Sequence, residues 1–287
     1  MPLDDDMPPG IAHDPKISRR GFGLASFAVG SAVAAPALAL SEKHVMEMDV
    51  SVPTPDGICD AAFFHGKKAA PGVVIIPDIV GLRGAFRRMG SRLAASGYSV
   101  LVINPYYREK KAPVVTDSFD FSKPEDRAAV FALRGKLTNQ TIDTDTAAFV
   151  DWLGKQKQVS RAKVGFTGYC MGGADDEGAA AIRPDRVGAG ASWHGGGLVS
   201  AAPDSPHLLA PKIKAQMLFG VAQDDDAKYP EGKTLLKKAM DDAGVKATVE
   251  VYKANHGWCV PGSAAYNEPE AERAWAELLA LYKRALV

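Results

Sequence analysis

Lys163-Val164-Gly165-Phe166-Thr167-Gly168-Tyr169-Cys170-Met171-Gly172-Gly173 is the stretch that decides how this chain is read. Lys163 to Thr167 has the make-up of a short strand, and a helix is expected from about Gly173. Between them, Gly168, Cys170 and Gly172 keep a glycine-x-nucleophile-x-glycine spacing. A strand that turns directly into a helix strains the backbone at its tip and presses the neighbours against both elements, so small residues are needed on either side. Such a turn pushes Cys170 out at the carboxyl edge of a sheet, where its thiolate could attack a carbonyl carbon. The plainer reading, a small buried apolar residue in a glycine-rich turn, is common for free cysteine.

A nucleophile of this kind needs a base and an acid from loops after later strands, in the order nucleophile, acid, histidine. Asp224-Asp225-Asp226 follows a strand ending at Gly220, and Asn255-His256-Gly257-Trp258 follows a strand ending at Tyr252. Upstream, Val73-Val74-Ile75-Ile76 is an all-apolar run, as expected of a strand buried on both faces of a parallel sheet, and it ends at Pro77-Asp78. Helical spacing follows through Phe86, Met89 and Leu93, and then a strand over Ser99 to Ile103. Residues 45–52 and 58–64 read as an opening hairpin around Pro55-Asp56-Gly57. Strands and helices alternate from there to a closing helix carrying Ala271, Ala274, Trp275 and Leu278. The expected architecture is an α/β fold: a mostly parallel central sheet, helices on both faces, and an antiparallel N-terminal hairpin.

The 287 residues are 46% hydrophobic and carry 34 basic against 34 acidic side chains, enough to bury a core and too balanced to capture nucleic acid electrostatically. Three scattered cysteines, Cys59, Cys170 and Cys259, give neither a disulfide scaffold nor a zinc-cluster spacing, so no metal or cofactor is expected. The start reads differently. Ser18-Arg19-Arg20-Gly21-Phe22 precedes an uncharged stretch to Leu40 that closes on Ala37-Leu38-Ala39. This is similar to a twin-arginine export signal with a small-x-small cleavage site, which divides the chain into a signal over 1–39 and a single domain over 40–287. The export machinery would be a transit partner, and the periplasm the destination.

Together these motifs resemble the dienelactone hydrolase family of the α/β-hydrolase superfamily. The likeness rests on Pro77-Asp78-Ile79-Val80-Gly81, on the Gly-Tyr-Cys-x-Gly-Gly turn at 168–173, on the loop from Gly220 to Pro230 and on His256-Gly257. It implies hydrolysis of a small ester or lactone with Cys170 as nucleophile, His256 as general base and then acid, and an aspartate of the 224–226 run on the imidazole. Asp224 is chosen as the one nearest the strand end, with Asp225 and Asp226 left open. The oxyanion hole would be the backbone N–H groups of Met171 and Ile79, and Asp78 would stand where family members carry an acid that interacts with the thiol. Tyr106, His194 and Trp258 are expected at the substrate pocket, and Cys59 in the core.

Two features depart from the family. Asp175, Asp176 and Glu177 fall where such folds bury an apolar helix, so either that helix begins exposed or the site is altered. After His256 come Gly257-Trp258-Cys259-Val260-Pro261, without the arginine that holds a substrate carboxylate, and neither Arg83 nor Arg127 falls in an alignable motif. Neutral esters or lactones are therefore the expected substrates. The alternatives are a catalytically silent binding protein on the same scaffold and a redox-sensing periplasmic thiol.

Overall fold

The structure is a computed structural model that describes residues 44–287, so the export signal expected over 1–39 lies outside the described residues. Strands β1 (Met46–Thr54) and β2 (Gly57–His65) form the opening hairpin, with Gly57 at a positive φ of 146° in its turn. β2 pairs antiparallel with β4 (Ser99–Ile103), and β4 pairs parallel with β3 (Gly72–Ile76). Parallel pairing continues through β5 (Val164–Tyr169), β6 (Val187–Trp193), β7 (Gln216–Ala222) and β8 (Ala247–Tyr252). The eight strands lie in the order β1-β2-β4-β3-β5-β6-β7-β8.

The period of two along a strand separates two cores. In β3, Val73 and Ile75 enter one core while Val74 and Ile76 enter the other, which is why the run has no polar residue. The first core is covered by α1 (Gly84–Ala95) and α7 (Glu268–Ala285), through residues such as Phe86, Leu93, Leu278 and Tyr282. The second takes Phe149 and Leu153 of α3 (Asn139–Gly154), Ala179 and Ala180 of α4 (Met171–Ile182), and Leu236 and Met240 of α6 (Gly232–Asp242). Each fully buried Leu, Ile or Phe contributes about 1.5–3 kcal/mol, so the two faces supply most of the driving force. Among the described residues no helix is long and apolar enough to cross a membrane.

Two helices differ from the sequence reading. Between β4 and α3 lies α2 (Pro124–Arg134), a helix the strand–helix alternation does not mark, which starts with a proline and two acids in its first turn and buries only Val130. The acid loop after β7 is itself a short helix, α5 (Gln223–Lys228), with Asp224, Asp225 and Asp226 in its first turn. The chain leaves β3 for β4 on one side and reaches β5 on the other, so the carboxyl ends of β3 and β5 flank a switch point, where open parallel sheets leave a crevice.

Candidate active site

Cys170 stands between β5 and α4 with φ 56° and ψ −116°, a backbone state costly for any side chain. Its neighbours explain the glycines. A Cβ on Gly168 would lie 1.8 Å from the Gly172 carbonyl oxygen, one on Gly172 would lie 2.6 Å from that of Ile76, and one on Gly173 would lie 2.4 Å from Ser192 Oγ. The Cys170 carbonyl accepts from Gly173 and Gly196 N–H, each at 3.1 Å, which holds the turn from both sides.

His256 is buried in the loop after β8, and its Nδ1 donates to Asp225 Oδ2 at 2.6 Å. A carboxylate only accepts, so the proton sits on Nδ1 and Nε2 is left for proton exchange. Nε2 is buried and takes no hydrogen bond within the described residues. Burial opposes the charged ring, but the neighbouring Cys170 and then the Asp225 carboxylate push its pKa up to about 10. The expectation for Asp224 is corrected here: its Oδ1 accepts from the backbone N–H of His256 at 2.8 Å and does not reach the ring. Asp226 pairs with Lys233 at 2.5 Å. Gln223 fastens the start of α5 to the histidine loop, through its N–H to the Ala254 carbonyl at 3.0 Å and its amide to Asn255 at 2.9 Å.

Two other expectations change. Asp78 does not engage the thiol: Arg83 holds both its oxygens at 2.7 and 2.8 Å, and Oδ1 also accepts from Val80 N–H. Arg83 is thereby committed. Trp258, expected at the pocket wall, is fully buried and stacked on Tyr252 at 4.9 Å, with Trp193 edge-on behind it.

His194 is buried too, at φ 41°, a region His enters more readily than most residues. The Cys170 N–H is shared between the Trp193 carbonyl at 3.0 Å and His194 Nδ1 at 3.1 Å. Accepting at Nδ1 puts the His194 proton on Nε2. Burial, and then the charge on His256, keep the pKa of His194 well below the usual histidine value. Its ring packs 4.7 Å from that of His256 and 5.2 Å from that of Trp258, so it is a neutral floor beneath the imidazole.

Tyr106 is buried at the switch point, and its hydroxyl donates to the Ile79 carbonyl at 2.9 Å and lies 3.3 Å from Met171 Sδ. One hydroxyl thus ties together the two loops whose N–H groups were expected to form the oxyanion hole. Met171 opens α4, so its N–H is one of the donors that a helix start leaves free. A basic group with no motif of its own is Arg134 at the end of α2, close enough to offset part of the rise that burial imposes on the pKa of both Tyr106 and Asp175. Nothing in the sequence brings residue 134 to the switch point, because α2 is polar and half exposed.

The acidic run does not start exposed. Asp175, Asp176 and Glu177 are all buried in α4, and both oxygens of Asp176 and of Glu177 have no hydrogen-bond partner. Burial pushes Asp176 well above the carboxylate range, Glu177 up to about 8 and Asp175 up to about 6. Asp175 also borders a cavity of about 20 Å³, room for one water. Burial thus favours the neutral forms of Asp176 and Glu177. Among the described residues, no group of three or more His, Cys, Asp or Glu side chains could hold a metal ion.

A mostly parallel sheet with a strained turn at Cys170 after β5 and a histidine after β8 defines a protein of the α/β-hydrolase fold. Residues 59–286 match the dienelactone hydrolase family, and the chain belongs to it. A Methylorubrum extorquens protein named "Putative carboxymethylenebutenolidase" is 25% identical over 93% of this chain and 93% of its own length. A Synechocystis protein of the same name is 26% identical over 75% of this chain and 87% of its own. The crystal structure named "Putative Dienelactone Hydrolase" from Klebsiella pneumoniae superposes with a TM-score of 0.73 at 21% identity, over 84% of this chain and 99% of that one.

Proposed function

We propose that this chain hydrolyses small neutral esters or lactones through a Cys170-His256-Asp225 triad. The observation that carries the reading is His256: one ring nitrogen is fixed on Asp225 at 2.6 Å, and Cys170, at the strained turn, is near enough to favour the charged ring. The thiol proton rests on His256 Nε2 before substrate enters, which pairs a thiolate with an imidazolium, and Sγ attacks the carbonyl carbon. The resulting oxyanion is taken by the N–H groups of Met171 and Ile79. As the C–O bond breaks, the imidazolium returns its proton to the leaving oxygen, and an acyl-thioester remains on Cys170. His256 then takes a proton from water, whose oxygen attacks the thioester, and the carboxylic acid leaves as the thiol is restored.

The substrate class rests on which cations are committed. Arg83 is locked on Asp78, and residues 257–261 contain no basic side chain. A buried carboxylate without a bidentate partner would forgo about 1.5–3 kcal/mol. A panel of small esters and lactones, each with and without a carboxylate, assayed before and after stoichiometric alkylation of the thiol, tests the reading. Loss of turnover on alkylation and a higher kcat/KM for the neutral members are expected. No turnover of any member would favour the silent binding protein. A preference for the acids that disappears in Arg134→Gln would overturn the neutral substrate class.

The same reading includes export by the twin-arginine route with cleavage after Ala39, motivated by Arg19-Arg20 and Ala37-Leu38-Ala39. N-terminal sequencing of the exported protein should begin at Leu40. Unimpaired export of an Arg19→Lys, Arg20→Lys double variant would contradict it.

A further inference from the structure

On the sheet face covered by α1 and α7, and away from Cys170, those two helices and the loop after His256 enclose a cavity of about 170 Å³. Four of its lining side chains are aromatic, Tyr169, Trp193, Tyr266 and Trp275, and Cys259 adds a buried thiol. An apolar cavity of about 150 Å³ is enough to take a benzene ring. Two arginines of α1 stand at it, one turn apart, and their charges are met differently. Arg92 stacks over Trp275 at 4.2 Å and grips both oxygens of Glu272 at 2.7 and 2.5 Å. Arg88 is exposed and has no hydrogen bond or ion pair among the described residues. An uncommitted planar guanidinium beside a ring-sized apolar cavity is complementary to a flat anion with a hydrophobic body.

We propose that this cavity is a binding site for a small aromatic carboxylate, with the ring inside the aromatic walls and the carboxylate on Arg88. The site requires nothing of the chemistry at Cys170. It is built from α1 and α7, from Tyr169 just before Cys170, and from the loop just after His256, so an occupant touches the chain on both sides of the catalytic residues.

Benzoate is the probe, titrated into the full chain carrying Cys170→Ala and followed by calorimetry and tryptophan fluorescence. One saturable site is expected. Binding should weaken about tenfold when benzamide replaces benzoate, and about tenfold in Arg88→Gln, because each change removes one charge-assisted contact. It should be lost when Ala274→Leu, a buried residue on the cavity wall, fills the space. Equal binding of benzoate and benzamide, unchanged binding in Arg88→Gln, or no saturable binding at millimolar benzoate would each overturn the proposal. Arg88 is on the surface, so that variant decides the matter even if Ala274→Leu does not fold. Undiminished binding in a folded Ala274→Leu protein would place benzoate elsewhere and also overturn it.

Discussion

Asp224, Asp225 and Asp226 occupy consecutive positions and meet three different partners: the backbone N–H of His256, its imidazole, and Lys233. Successive residues in a helix point about 100° apart, so once these aspartates enter α5 only one of them can face the ring. Asp225→Asn should lower kcat by about 10³- to 10⁴-fold, since an amide cannot hold the same tautomer and stabilise the imidazolium. Asp224→Asn keeps an acceptor for the backbone N–H and should cost less than about tenfold. The pair also makes a pH prediction. With His256 at about 10, kcat/KM should fall on the alkaline side near that pH, as the ring loses its proton. Removing the negative charge of Asp225 destabilises the cation, so in Asp225→Asn the alkaline limb moves to lower pH; an unmoved limb would show that Asp225 does not act on the ring. Tyr106→Phe keeps the ring but releases the hydroxyl that joins Ile79 to Met171. A drop in kcat of about tenfold with KM changed less than about twofold is expected, because loosened donors weaken binding of the transition state more than of the substrate.

Helix α4 combines a glycine-rich start with an acidic interior, and the two make opposite demands. Its N-terminal glycines allow the backbone to approach Ile76 and Ser192, while Asp176 and Glu177 lie buried without partners on the layer beneath the sheet. For a carboxyl group whose folded pKa is raised, the stability it contributes is fully present below the unfolded pKa and is lost as pH rises through the folded one. For Glu177 that window runs from 4.5 to about 8, and for Asp175 from 3.8 to about 6. Thermal unfolding should therefore occur at falling temperature from about pH 5 to about pH 8, and Glu177→Gln should flatten the slope and raise Tm at the upper end by roughly 5–10 °C. A pH-independent Tm in the parent chain would mean that these carboxyls are solvated or paired. The elements also show what a sequence can disclose. β3 and the 168–173 turn were legible because an apolar run and three tight glycines each answer a local steric demand. The registers at Asp225 and Arg134 were not, because each depends on a helix, α5 or α2, that has no apolar stripe of its own. Trp258 was misplaced for a related reason: adjacency to His256 in sequence says nothing about which side of the histidine loop a ring packs on.

At the scale of the whole molecule, the reversal of strand order around β3 gathers residues 78, 106, 170, 225 and 256 from five separate segments to one edge of the sheet. The alternation of strands and helices made that edge predictable. The distribution of charge was less accessible. Asp78 is engaged by Arg83, and burial favours the neutral forms of Asp176 and Glu177, outcomes that depend on how side chains pack and on the dielectric the packing creates. Two arginines thus meet opposite fates on the same helix neighbourhood, Arg83 locked by a carboxylate and Arg88 left open to solvent. The central claim is that Cys170 carries the acyl group between two half-reactions. Rapid quenching of the protein with 4-nitrophenyl acetate, followed by peptide mass spectrometry, tests this directly. The account predicts a burst of one nitrophenol per chain, with one acetyl group on the Cys170 peptide that decays at the turnover rate. Steady turnover with no acetyl on Cys170, or undiminished turnover in Cys170→Ala, would contradict it.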